Sequence, residues 1–142
     1  MSQNSLSLWF QRKMNARTTA RIRRKGGKFM GMDLLILHTV GRKSGHPRQS
    51  PLSWFPDGPN AWLVIASGGG NHHPDWYANL MAHPDQASVE LHGHPAVHVK
   101  PHRLEGPDRD KAWQRIVADQ PRYAKYQTKS AKQYPVIRLA TD

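Results

Sequence analysis

Apolar positions near the start of the chain recur at helical spacing. Leu6, Phe10 and Met14 fall four apart, Asn4 or Ser5 offers a cap, and "KGGK" at 25–28 stops the run, which predicts a basic, weakly amphipathic helix over 4–24. The pattern then changes. "DLLILHTV" (33–40) is nearly continuous in apolar residues and bounded by turn formers, as a buried strand requires. "GRKSG" (41–45) turns the chain, and "PRQSPLSWF" (47–55) resumes as an extended segment whose two prolines suit an edge or a bulge. The hairpin signal "PDGPN" leads into a third strand, "AWLVIAS" (61–67), so three sequential strands predict a meander.

Beyond it, "GGGNHHP" (68–74) is incompatible with regular structure, and "DWYANLMAHP" (75–84) opens a short helix with Asp75 as its expected cap. "ASVELHG" and "PAVHVKPHRL" predict a second hairpin around "HGHP". In "PDRDKAWQRIVADQPRYAKYQ" (107–127), Pro and acids occupy the first turn and Trp113, Ile116 and Val117 keep helical spacing, so the segment reads as helix interrupted near Pro121. "YPVIRLA" supplies a last strand. Five or six short strands, mostly hairpin-connected, with three helices predict a mainly β, α+β fold: an antiparallel β-barrel or rolled sheet with helices outside. At 142 residues the chain is expected to form a single domain, 1–142, with 1–28 as a basic leading helix and linker.

Charge sharpens this picture. Residues 1–50 carry eleven Lys and Arg against one acid, Asp33, while the remaining residues are nearly balanced, so the N-terminal third is the part built to face anions. Nucleic acid, an acidic membrane surface and a polyanionic small molecule are the partner classes this allows. With no cysteine, thiolate nucleophiles, disulfides and cysteine metal sites are excluded, which fits a cytoplasmic protein. No apolar window is long enough to span a membrane, and the apolar patch at the start precedes its cations, the reverse of a secretory signal. The expectation is a soluble protein without an export signal.

Several groupings could carry chemistry. The Gly41–Gly45 turn lets backbone N–H groups face outward beside Arg42, Lys43 and Ser44, and Arg48 follows on the returning strand, where a guanidinium can grip an acid with two parallel hydrogen bonds. These residues equally describe a solvated hairpin tip. The glycine run before Asp75 permits close approach of a flat ligand to backbone, or simply connects two elements; it lacks the βαβ setting of a dinucleotide fingerprint. His92 and His94 have strand-type chelate spacing, but Gly93 and Pro95 put them in a turn and no third ligand follows, so no metal site is expected. Tyr123 and Tyr126, three apart, share a helical face, as core residues or as phenols lining a substrate site.

Taken together, "LLILHTVGRKSGHPRQSPL", "WLVIASGGGNHHPDWYANLMAHP", "YAKYQ" and "YPVIRL" resemble the deazaflavin-dependent nitroreductase family of actinobacteria, small split β-barrel proteins that use coenzyme F420. The resemblance runs from about residue 30 to the end. It implies a split barrel over 29–142, with the coenzyme's phosphate and glutamate tail held by Arg42, Lys43, Ser44 and Arg48, and with Ser50 and Pro51 beside them. It places Ala66 and Ser67 along the deazaflavin ring, Gly69 and Gly70 at its edge, and Pro74, Trp76 and Asn79 around the same pocket. Tyr123 and Tyr126 become the substrate-side, catalytic candidates. The implied reaction is hydride transfer from reduced F420 to a quinone, an activated enone or unsaturated lactone, or a nitroaromatic, a tyrosine or water protonating the product.

The chain departs from the family pattern at Gly68, where members commonly carry a larger or basic residue, and at Gln120, where another aromatic is common. These departures support one alternative, a non-catalytic F420-binding or sequestering protein. Flavin mononucleotide (FMN) in the same pocket is a second. A nucleic-acid partner is not expected, because the cations of 12–28 have only Phe29 interleaved. Peripheral membrane contact through residues 5–28, led by Leu6, Leu8, Trp9 and Phe10, is a third reading, opposed by simple packing of that helix on the barrel.

Overall fold

The computed structural model describes residues 5–29, 31–67 and 73–141, with side chains from residue 15 onward except Phe29. Its elements are α1 (Ser5–Lys25), β1 (Lys28–Phe29), β2 (Met32–Val40), β3 (Pro47–Ser53), β4 (Phe55–Pro56), β5 (Ala61–Ile65), α2 (Asp75–Ala82), β6 (Ser88–Glu90), β7 (Val97–His98), β8 (Lys100–Arg103), α3 (Gly106–Asp119), α4 (Arg122–Thr128) and β9 (Val136–Ala140). A single 3₁₀ turn, Pro84–Gln86, links α2 to β6. The fold is α+β.

Among the described residues the strand pairs are all antiparallel and fall into two sheets. In the first, β2 is flanked by β3 and β6, with β1 on its opening residues and β7 outside β6; in the second the order is β4-β5-β9-β8. The expected three-strand meander is therefore corrected: β2 and β3 pair from Leu34↔Ser53 to Val40↔Pro47, but β5 leaves for the second sheet and pairs with β9. The extended segment after Pro47 stops at Ser53, and Trp54 N–H bonds back to the Asp33 carbonyl at 3.2 Å before the chain changes sheet. The second expected hairpin divides in the same way. Val97–His98 pair with β6, whereas Lys100–Arg103 pair with β9. Between them Val99 is fully buried and its N–H reaches the Ala87 carbonyl at 3.1 Å, so one residue hands the strand across. Among the described residues the two sheets do not close into a hydrogen-bonded ring.

The alternation along β2 fixes two packed faces. Leu35 and Leu37 enter a core with Val64, Val89, Ile137 and Leu139, all with no exposed surface. Side chains of this size contribute roughly 1.5–3 kcal/mol each when fully buried. Ile36 and His38 lie on the opposite face, where the last turn of α1 packs: Ile22 is fully buried, and Arg23 forks onto Glu90 at 2.8 and 3.1 Å and reaches Gln49 at 3.0 Å. His38 Nε2 donates to the same carboxylate at 2.9 Å. The hydrogen bond from Arg23, reinforced by His38, holds the Glu90 carboxyl below its ordinary range despite its burial.

A second core joins Met32, Phe55, Ile65, Ile116, Tyr123 and Val136 between the second sheet and the C-terminal helices. The predicted helix over 107–127 is two helices, because Gln120 leaves helical geometry and Pro121 cannot continue the ladder. The described chain thus has four helices rather than the expected three. Asp75 is also not the cap of α2: Pro74 takes that position, in extended geometry, and Asp75 is the first helical residue.

Candidate functional site

The turn between β2 and β3 is held by its own backbone. Gly41 N–H bonds to the His46 carbonyl and Gly45 N–H to the Gly41 carbonyl, both at 2.8 Å, and Gly45 sits at φ +73°, where a side chain would be strained. A Cβ at Gly41 would lie 2.6 Å from Ser44 Oγ and 3.4 Å from Arg48 Nη2, so a side chain there would displace the serine hydroxyl. Ser44 Oγ accepts from His46 N–H at 3.2 Å.

Arg42 does something the sequence did not disclose. Its main-chain N–H and its Nη1 both donate to Asn79 Oδ1, at 3.0 and 2.9 Å, and its Nη2 lies 3.4 Å from Asp75 Oδ1. Arg42 and Asn79, read separately as coenzyme contacts, hold each other and dock the turn on α2; Asn79 is only 6% exposed. Lys43 is exposed, while Arg48 is half-buried, with Nη1 on the Pro47 carbonyl at 3.2 Å.

At the far end of β3 the chain forms a cleft of about 220 Å³, lined by Met32, Pro51, Leu52, Ser53, Ile65, Ser67, Trp76, Arg122, Tyr123 and Tyr126. At about 3.3 Å per residue, Arg48 and Ser53 stand roughly 17 Å apart along the strand. Five sequence candidates, Pro51, Ser67, Trp76, Tyr123 and Tyr126, meet in this cleft from four different parts of the chain. Ser50 is one step away on β3, opposite Leu37. Ala66 is fully buried, its N–H spent on the Pro135 carbonyl at 3.0 Å, and Pro74 caps α2 through its carbonyl. Gly69 and Gly70, like Gly68, lie outside the described residues.

The two tyrosines differ sharply. Tyr123 is 8% exposed; its hydroxyl points to Met32 Sδ at 3.8 Å and its ring packs edge-on against Phe55. Burial pushes its phenol above the ordinary range, so it keeps its proton. Tyr126 is 40% exposed and stacks edge-on against Tyr123 at 5.8 Å between ring centres. The helix that carries them is fixed from behind: Tyr134 donates its hydroxyl to the Tyr126 carbonyl at 3.1 Å, and Gln127 accepts from Tyr134 N–H at 2.8 Å.

Sequence reasoning missed Met32, Leu52, Ser53, Ile65 and Arg122. Arg122 was findable, since it precedes Tyr126 by four residues and so shares its helical face. Met32 was not, because its place in the cleft depends on the crossing of the two sheets.

A flat heteroaromatic coenzyme with a phosphate and carboxylates needs an apolar wall, a few polar groups and a cationic end. Met32, Leu52, Ile65 and Trp76 provide the first, Ser53, Ser67 and Arg122 the second, and the turn with Lys43 and Arg48 the third, so the residues present fit such a group.

The family model for F420H(2)-dependent quinone reductase matches residues 9–141. An F420H(2)-dependent quinone reductase of Mycobacterium tuberculosis strain H37Rv is 38% identical over 110 residues, covering 74% of this chain and 71% of that protein. Among solved structures, an F420-H2 dependent reductase (FDR-A) is similar at TM-score 0.64 and 34% identity, over 75% of this chain and 92% of that one. A domain-swapped dimer is similar at TM-score 0.66 and 31% identity, over 95% and 99% of the two chains. The chain belongs to the F420H(2)-dependent quinone reductase family and is an F420-dependent oxidoreductase.

Proposed function

We propose that this chain reduces a small electrophile, a quinone first and an activated enone or nitroaromatic second, at the cleft lined by Ser67, Trp76 and Tyr126. The observation that carries the proposal is the convergence of Pro51, Ser67, Trp76, Tyr123 and Tyr126 on one cleft at one end of β3, with the cationic turn at the other. Bound reduced F420 supplies a hydride from its C5. Lys43, Ser44 and Arg48 would hold its phosphate and tail by charge-assisted hydrogen bonds, while Arg42, bound to Asn79 and Asp75, keeps the turn in place for them. Ser67, Pro51 and Trp76 would border the ring. Tyr126, partly exposed at the cleft, would give the product its proton, with Arg122 beside it favouring the electron-rich oxygen that develops there. Tyr123 supports Tyr126 through ring contact.

In this reading the two sheets are the halves of a split β-barrel over 29–142, preceded by the α1 region. Substrate enters from the α4 side, where Tyr126 is accessible. Titration of the purified protein with F420 and, separately, with FMN, followed by turnover with menadione, tests the assignment. Tight F420 binding and coenzyme oxidation by menadione are expected. F420 binding without turnover would leave the sequestering alternative, and tight binding of FMN alone would overturn the reading.

A further inference from the structure

A second cleft, of about 460 Å³, adjoins the opening of β2 and the residue after β3, and has no part in the reaction described above. It is lined by Lys25, Gly26, Gly27 and Lys28 from the α1–β1 link, by Asp33, Leu34 and Trp54, and by Leu91, His92 and His94 from the turn after β6. We infer that this cleft is a binding site for a compact organic anion with an aromatic or branched apolar body, such as an aryl carboxylate or sulfonate.

Three features carry the inference. The first is the division of the lining. Leu34, Trp54 and Leu91 make an apolar floor, and Trp54 and Leu91 pack against the main core behind it. Lys25 and Lys28 are exposed above them, as are His92 and His94, so apolar and cationic groups present themselves to the same space. The volume falls within the range of about 300–1,000 Å³ typical of small-molecule sites.

The second is the charge balance. Asp33 is the single acid in the lining, and its partner Lys28 holds it at 3.5 Å with both side chains more than half exposed. A pair this open is worth little and exchanges readily with an incoming anion. The C-terminus of α1 also points here, and free terminal carbonyls would repel a negative ligand. Two of them are occupied: the Ile22 carbonyl accepts from Gly26 N–H at 2.9 Å, and His92 Nδ1 donates to the carbonyls of Ile22 and Arg23 at 3.0 and 3.2 Å.

The third is the fixed frame. Gly26 has φ +73°, and a Cβ there would touch the His92 ring at 3.5 Å, so the link runs close against the histidine that caps the helix. The wall is shared with the candidate active site. Met32 and Ser53 line the first cleft while their neighbours Asp33, Leu34 and Trp54 line the second, so an occupant would sit beside the strand that positions the Tyr123 sulfur contact.

Anilinonaphthalene sulfonate, an aromatic body with one negative charge, is a suitable probe, with uncharged anilinonaphthalene as its control. Binding is measured on the full chain with and without saturating F420, and located by backbone amide shifts. One equivalent of the sulfonate is expected to bind in both states, shifting Gly26, Gly27 and Leu91 to His94, while the uncharged analogue binds more weakly. Lys25→Glu with Lys28→Glu should weaken binding by about tenfold, the sum of two exposed charge contacts reversed in sign. Asp33→Asn, which releases Lys28 and removes the opposing charge, should strengthen it by roughly threefold. Shifts confined to the Tyr126 cleft, displacement by F420, or equal affinity across these variants would overturn the site.

Discussion

The two ends of β3 are built in opposite ways. At the turn, main-chain hydrogen bonds from Gly41 and Gly45 fix the path of the chain, and Arg42 fastens it to α2, which leaves Lys43 exposed and Arg48 only half-buried beside it. At α4 the reverse holds: Tyr123 is sunk in the second core, and Tyr126 reaches the cleft because its helix is anchored by Tyr134 and Gln127. A cradle made of backbone can spend its side-chain charges on a ligand, whereas a site made of packed side chains gains defined geometry at a small number of atoms. The first construction suits holding an anionic coenzyme and the second suits placing a proton. Damage at the two ends should therefore separate into lost affinity and lost turnover.

The largest expected effect is at the tyrosine end. Tyr126→Phe keeps the ring contact with Tyr123 but removes the hydroxyl, so kcat with menadione should fall by roughly 100-fold, the lower end of a general acid's contribution, with coenzyme affinity nearly unchanged. Tyr123→Phe removes only a long contact to sulfur at 3.8 Å and should change kcat by less than about threefold. Steady-state kinetics beside a coenzyme titration read both. Equal losses from the two variants would erase the distinction between a reacting and a supporting tyrosine.

Next comes the clamp that makes the cradle rigid. Asn79→Ala takes the shared acceptor from Arg42 and leaves a buried gap, at a cost of about 1.5–3 kcal/mol in unfolding free energy. Asn79→Asp retains the acceptor and should recover most of that loss. Urea unfolding measures the stability, and F420 titration shows whether the turn has loosened with it. A variant that loses affinity without losing stability would instead make Asn79 a direct coenzyme contact.

That pairing shows where sequence reasoning stopped. Helical periodicity located α1, and apolar runs bounded by turn formers located β2, β5 and β9, each within a few residues; the turn was visible from its two flanking glycines. The resemblance named the candidate residues and grouped them around one coenzyme, yet it did not give the contacts they make with one another. Arg42 and Asn79 are 37 positions apart and meet only because α2 packs across the end of β2. Val99, where one strand passes from sheet to sheet, looks like any other apolar strand position. The Arg23, Glu90 and His38 network joins three elements through charged side chains, and local patterning carries no record of such partners.

Charge removal at the tip follows in size. Lys43→Ala and Arg48→Ala should each weaken F420 by about tenfold, equivalent to one charge-assisted hydrogen bond in a partly wet site, with kcat at saturation little changed. The loss should shrink at high salt, as screening predicts for exposed charges. If kcat fell instead, the two ends of β3 would not be the independent parts that their construction implies.

The smallest effect tests whether the turn end is also sensed from outside the sheet. Arg23 bonds both Glu90 and Gln49, and Gln49 is the strand neighbour of Arg48. Because Glu90 is held below its unfolded value of 4.5, its contribution is present above that pH and is lost as pH falls through the lower folded value. Acidification below about pH 4.5 should therefore loosen the last turn of α1, seen as faster amide exchange at residues 19–25. At neutral pH, Glu90→Gln should cost roughly 1 kcal/mol or less, abolish that acid-dependent step, and weaken F420 by no more than about twofold. A larger loss of coenzyme would mean that α1 sets the position of Arg48 through Gln49, making the cradle dependent on a helix on the far face of the sheet.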